Sequence, residues 1–175
     1  KNLREQRNKK VLFRRLLWTK GTPLEEIVKD AFIFLGFPEI KKLRSRDLED
    51  WVIEFKTISR YQLGVIEVKG ADKRTALSDL TQCNRWVEDY RLEGKKVKGI
   101  FVPNQYRLED PRTSKGKREH FEPNELDYAK KREICILPAH EIFLAVVEKM
   151  KGNPKITREN IERKIAEANG LCKLT

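Results

Sequence analysis

An α/β domain built on a mixed sheet is the fold class this chain predicts, on three observations. Two neighbouring runs rich in β-branched and aromatic residues, 48–55 and 62–69, are joined by a short connection, which suits an antiparallel pair. Two later apolar runs, 97–102 and 134–137, each follow a segment with helical spacing, as crossover connections require. Finally, 175 residues with 39% hydrophobic content are enough to bury a real core.

The elements follow in order. Residues 2–18 carry Leu3, Val11, Leu12, Leu16 and Leu17 at helical spacing, and Gly21-Thr22-Pro23 breaks the pattern. Thr22 suits an N-cap, Pro23 the first helical position, and Glu25 completes a capping box. A helix over 24–35 follows, with Leu24, Ile27, Val28, Ala31, Phe32 and Leu35 on one stripe and Gly36 ending it. Residues 40–43 form a short strand and 44–47 a turn. The strand over 48–55 sets Trp51, Ile53 and Phe55 on one face and Asp50, Val52 and Glu54 on the other. After a hairpin-like connection over 56–61 comes the strand 62–69, then a loop over 70–73. The helix over 75–90 is marked by Ala76, Leu80, Cys83, Val87 and Tyr90. The strand over 97–102 stops at Pro103-Asn104. Residues 105–123 form a charged loop long enough to be functional. A helix over 125–132, the strand 134–137, a helix over 140–150 and a last helix from Thr157 to about residue 168 complete the chain. The sheet therefore has four to five strands flanked by helices. Three parts follow: a basic helical arm or linker over 1–20, a core domain over 21–150, and a C-terminal helical extension over 151–175.

Charge is concentrated at one end. The net charge is +11, and the first twenty residues hold eight Lys or Arg against one acid, Glu5. Such an excess favours phosphate-rich partners. No apolar run has the length of a membrane span and no signal peptide is visible. Cys83, Cys135 and Cys172 show no metal-ligand spacing, which points to buried thiols in a reducing cytoplasm. The chain starts at Lys1 and its only methionine is Met150. It reads as part of a longer protein, with an N-terminal partner domain left open.

The chemistry centres on Gly64-Val65-Ile66-Glu67-Val68-Lys69-Gly70. Glu67 and Lys69 share one strand face, and Ile66 and Val68 the other. Asp50 starts the preceding strand, so Asp50, Glu67 and Lys69 can converge at one end of the sheet. Two close carboxylates repel unless one is protonated, and a divalent cation removes that conflict. Carboxylate oxygens suit Mg²⁺, which acidifies a bound water and neutralises charge in phosphoryl transfer. Lys69 can orient the water or balance the developing charge.

Asp50…Glu67-Val68-Lys69 on successive strands resembles the PD-(D/E)XK, or restriction-endonuclease-like, nuclease superfamily. The pattern is nearest to Mrr-type and related bacterial members. The helix Leu24-Glu25-Glu26-Ile27-Val28…Leu35-Gly36-Phe37 resembles one that carries a glutamate near the site, matched by Glu25. Gly70 matches the common ending after the lysine, Gln82 a glutamine on the following helix, and Lys98 to Asn104 the next core strand with its asparagine. The similarity covers about residues 20–150. Glu49 stands where a proline usually precedes the aspartate, and Asp47 stands as the alternative to Asp50. The resemblance implies a three-layer core and a Mg²⁺-dependent endonuclease, with Mn²⁺ able to substitute. Asp50, Glu67 and the Val68 carbonyl would be the metal ligands, and Lys69, Glu25 and Gln82 the further catalytic residues. DNA is the expected substrate ahead of RNA, with a homodimer left open. The rival readings are an RNA-directed nuclease and an inactive nucleic-acid-binding module on the same fold. His120 reads as a surface residue and His140 lacks spaced partners. Trp18, Trp51 and Trp86 read as packing residues. Lys115-Gly116-Lys117-Arg118 reads as a solvated loop able to touch a phosphate backbone.

Overall fold

The computed structural model describes residues 2–42, 49–57 and 60–175, with side chains from residue 7 onward. Asp47 and the 44–47 turn lie outside the described residues. The first elements are α1 (Asn2–Phe13), a 3₁₀ turn (Arg14–Leu17) and α2 (Thr22–Leu35). The sheet begins with β1 (Trp51–Glu54) and β2 (Leu63–Gly70), followed by α3 (Leu77–Leu92) and β3 (Val97–Asn104). Then come α4 (Lys115–Arg118), α5 (Pro123–Lys131), β4 (Ile134–Ile136), α6 (Ala139–Met150), α7 (Arg158–Glu167) and β5 (Gly170–Leu171). The strands lie in sequence order in one five-stranded sheet. β1 and β2 are antiparallel, and each later pair is parallel.

The antiparallel pair and its two faces follow the alternation of the sequence. Trp51, Ile53, Phe55, Ile66 and Val68 join the core beneath α2, α6 and α7. Val52 and Val65 face the other way, with Val87 and Tyr90 of α3, and Phe101 packs with Leu80, Cys83 and Ala129 on that same side. Helices thus cover both faces, giving three layers. Among the described residues no helix is long and apolar enough to cross a membrane. All three cysteines are free and buried.

Several expectations shift. The strand expected over 40–43 is a single antiparallel bridge between Lys41 and Val52 among the described residues. Asp50 precedes β1 rather than lying within it. The capping box at α2 does not form. Gly21, at φ 57°, takes the N-cap position without a side-chain bond, and Thr22 is already helical. A residue at positive φ is best served by glycine, and its carbonyl accepts from the Leu24 and Glu25 amides. Thr157 does cap α7, through a bond from Asn160 N. The strand β5 was not expected. It pairs with β4 at Cys135 and Ile136, and Cys172 and Leu174 beyond it are buried in the main core.

The segment ahead of α2 crosses the end of β2 at Gly70. A Cβ there would lie 2.4 Å from Lys20 Cβ and 2.6 Å from Lys20 Cα. Both are far inside ordinary contact, and one is backbone. Gly70→Ala is therefore expected to cost about 1–3 kcal/mol through overpacking, read as a lowered midpoint in thermal denaturation. An unchanged midpoint would show that the crossing is loose.

Candidate active site

Strand register places the two carboxylates. Trp51 pairs with Ile66, so one further step along both chains sets Asp50 opposite Glu67. Opposed residues in an antiparallel pair point to the same face, with Cβ atoms roughly 4.5–5.5 Å apart. Beyond Ile66 the ladder between β1 and β2 ends, and the Val68 amide has no β1 carbonyl to meet. It donates instead to Asp50 Oδ2 at 2.6 Å. A residue's N–H and C=O leave a strand on the same edge, so the Val68 carbonyl leaves toward Asp50 as well.

Glu67 is 7% exposed, and its Oε2 accepts a bond from Trp86 Nε1 at 2.9 Å. Burial is the main reason its carboxyl is pushed up to about 8, and the Asp50 charge adds to it; Trp86 and Lys69 pull the other way. Asp50 is pushed up to about 6, chiefly by burial, against the Val68 hydrogen bond; the charges of Glu25 and Glu49 raise it further. Two neighbouring acids that both resist ionisation describe a site short of positive charge.

Lys69, next on the same face as Glu67, is half-exposed and lies 3.2 Å from Asp79 Oδ1. Asp79 is also held by the Ala76 amide at 2.9 Å, so α3 presents an anchored acid to the lysine. Glu25 sits on α2, in the opposite layer. Its backbone carbonyl accepts from Trp51 Nε1 at 2.9 Å, which ties α2 to the start of β1. Its carboxylate acts on Asp50 through charge alone among the described residues. Gln82 lies one helical turn before Trp86, on the same face of α3. It makes no hydrogen bond to Asp50, Glu67 or Lys69 among the described residues.

Two polar residues near the end of β3 are structural. Asn104 is 2% exposed; its Nδ2 donates to Thr19 O at 2.9 Å and its Oδ1 accepts from Arg118 Nη1 at 2.9 Å. Arg118, expected on a solvated loop, is also 2% exposed. Its guanidinium donates to Leu17 O, Tyr106 O and Glu109 O as well. Together they bind the N-terminal segment and the 105–118 stretch to the end of β3. Lys117 of the same cluster pairs with Glu109 at 2.8 Å.

Sequence reasoning missed Trp86 and Asp79. Trp86 falls at a helical spacing that suits packing, and it does also pack against the cluster that holds Val52, Val65 and Tyr90. Its separation of 19 residues from Glu67 is set by the crossover from β2 into α3. Asp79 could have been found as an acid in the first turn of that helix. Glu49, before Asp50, is buried and accepts from Tyr90 Oη at 2.9 Å.

No family model matches the chain, and no curated protein does. Among solved structures, the restriction endonuclease FokI aligns over 92% of this chain and 30% of its own, with a TM-score of 0.64 and 15% identity. FokI bound to DNA aligns over 97% of this chain and 34% of its own, with a TM-score of 0.56 and 14% identity. The chain thus spans about a third of the length of these structures. At such identity the likeness concerns the fold, which is restriction-endonuclease-like.

Proposed function

We propose that this chain is a metal-dependent nuclease domain that hydrolyses phosphodiester bonds, in DNA ahead of RNA. The observation that carries the reading is the opposition of Asp50 and Glu67 across the end of two strands, each raised by burial and by negative neighbours. The donor set fits Mg²⁺, or Mn²⁺ in its place: two carboxylates and the Val68 carbonyl, all hard oxygen donors. A cation held there would supply a water acidified by coordination and positive charge against the phosphoryl transition state.

The chain's own residues do the rest. The Val68 amide fixes the Asp50 carboxylate, and the Trp86 indole fixes that of Glu67. Lys69 exchanges Asp79 for the attacking water and offsets charge building on the phosphate. Glu25 supplies further negative charge beside Asp50, drawing a cation to that side. Gln82 offers an amide to substrate on the α3 side. An Mrr-like relationship rests on the pattern around Glu25. DNA is favoured because the fold is shared with a restriction endonuclease whose structure is described bound to DNA. The basic segment also runs to Lys20, whose Cα and Cβ pack against Gly70, next to Lys69.

The test is a metal screen on duplex DNA, single-stranded DNA and RNA. Cleavage of DNA with Mg²⁺ or Mn²⁺, and none with a chelator, is the expected result. Tight DNA binding with no cleavage of any substrate by any divalent ion would overturn the proposal in favour of a binding module.

A further inference from the structure

A second cluster lies apart from Asp50 and Glu67, where the segment after α4 meets the first turn of α6. His140 Nε2 is 3.3 Å from Glu119 Oε1 and 3.5 Å from Glu141 Oε1. One ligand atom from each of the three residues lies within 4.8 Å of the others. A tetrahedral Zn²⁺ with bonds of about 2.0–2.1 Å sets its ligand atoms roughly 3.3 Å apart, close to the two distances from the imidazole.

An independent observation points to an occupant. His140 is 6% exposed, yet neither of its ring nitrogens has a hydrogen-bond partner among the described residues, and neither has Glu119 Oε1. Buried polar atoms are normally satisfied, and here two such atoms, His140 Nε2 and Glu119 Oε1, face each other at 3.3 Å.

The remaining carboxylate oxygens are already engaged. Glu119 Oε2 lies 3.1 Å from Lys173 Nζ, and Glu141 Oε2 accepts from the Leu174 amide at 3.2 Å. Each acid is thus oriented by its outer oxygen and turns Oε1 to the imidazole, as outer contacts orient metal ligands. Lys115 Nζ, 3.7 Å from Glu119 Oε1, is the competing cation. Its side chain is 54% exposed, so water screens it and it can withdraw. A cavity of about 640 Å³ reaches His140, its charged wall made by Lys10, Arg14, Arg112, Lys115 and Asp110.

We propose that Glu119, His140 and Glu141 bind a zinc-class divalent ion that pins the segment after α4 to α6 and to the C-terminal tail. An imidazole with two carboxylates favours Zn²⁺ over the Mg²⁺ class suited to the all-oxygen site at Asp50 and Glu67. The ion joins elements distant in sequence, and with three protein ligands it keeps a fourth position for water.

The full chain carrying Asp50→Asn and Glu67→Gln removes competition from the other site and makes the result independent of nuclease activity. Titrating this chelator-treated protein with Zn²⁺ by calorimetry is expected to show one ion per chain and a raised thermal midpoint. Glu119→Gln, at a partly exposed position, removes a ligand rather than an outer contact and should weaken binding on the order of 100-fold or more while leaving the circular dichroism unchanged. Co²⁺ in place of Zn²⁺ should give visible bands of tetrahedral intensity, lost in His140→Ala. The proposal is overturned if no Zn²⁺ binds at about 100 μM, a level that would stabilise any site of useful affinity. It is equally overturned if Glu119→Gln binds as tightly as its parent.

Discussion

Asp50→Asn and Glu67→Gln are each expected to reduce metal-dependent cleavage on the order of 10³-fold or more while the fold persists. Both replacements keep the size and polarity of the side chain and remove one ionisable oxygen. The amide introduced at position 50 can still accept from Val68 N through its carbonyl, and the amide introduced at position 67 can still accept from the Trp86 indole. The loss then falls on the charge that holds the cation, and with it on the acidified water and the neutralised transition state. Lys69→Ala should lose on the order of 10²–10³-fold, in the range for removing one preorganised donor to a developing charge. Its distinguishing mark is that metal affinity stays near the parent's, because Lys69 is no ligand. Cleavage rates and Mn²⁺ titrations on all three variants separate these roles. Parent-like cleavage by both carboxylate variants would remove Asp50 and Glu67 from the centre and leave the fold without its proposed chemistry.

The parts of this site that could be read from the chain are those carried by strand periodicity. Alternation puts Glu67 and Lys69 on one face, and antiparallel pairing of two adjacent runs brings Asp50 to Glu67 with few choices of register. The core positions Trp51, Ile53, Ile66 and Val68 follow from the same alternation. Residues delivered by crossovers were not legible. Trp86 and Asp79 reach β2 only because α3 returns across it, and no local spacing encodes that return. His140 meets Glu119 because α5 and β4 intervene and bring the chain back. Arg118 looked solvated because its neighbours are charged, but its partners are backbone carbonyls, which leave no mark on composition. β5 is two residues long, too short to show a period. At α2 the cue of Thr22 was real, yet Gly21 can hold a positive φ that moves the start of the helix back by one residue.

Glu67→Gln carries a second large effect, on stability rather than rate. In the chain without metal the Glu67 carboxyl is raised from 4.5 to about 8. Folding therefore favours its protonated form. Its contribution is fully present below about pH 4.5 and is lost progressively as pH rises through about 8, since over that window the folded chain binds more protons than the unfolded one. Asp50 acts in the same direction between its ordinary value and about 6. With chelator present, the parent should lose thermal stability from pH 5 to pH 8 more steeply than Glu67→Gln, whose neutral amide has no charge to bury. One pKa unit corresponds to about 1.4 kcal/mol. Allowing for relaxation around the ionised group, the variant should gain on the order of 3 kcal/mol over the parent at pH 8, or roughly 6–12 °C in midpoint for a chain of this size. Adding Mg²⁺ should reverse the order, because a cation favours the ionised pair. Its stabilisation of the parent should grow with pH across the same window, and binding near pH 7 should release protons. Thermal scans from pH 5 to 8, with chelator and with Mg²⁺, measure all of this. Parallel curves for parent and variant would mean that Glu67 is solvated and ordinary. A variant gaining stability as it loses cleavage would show the instability and the chemistry to have one source, two carboxylates held together for a cation.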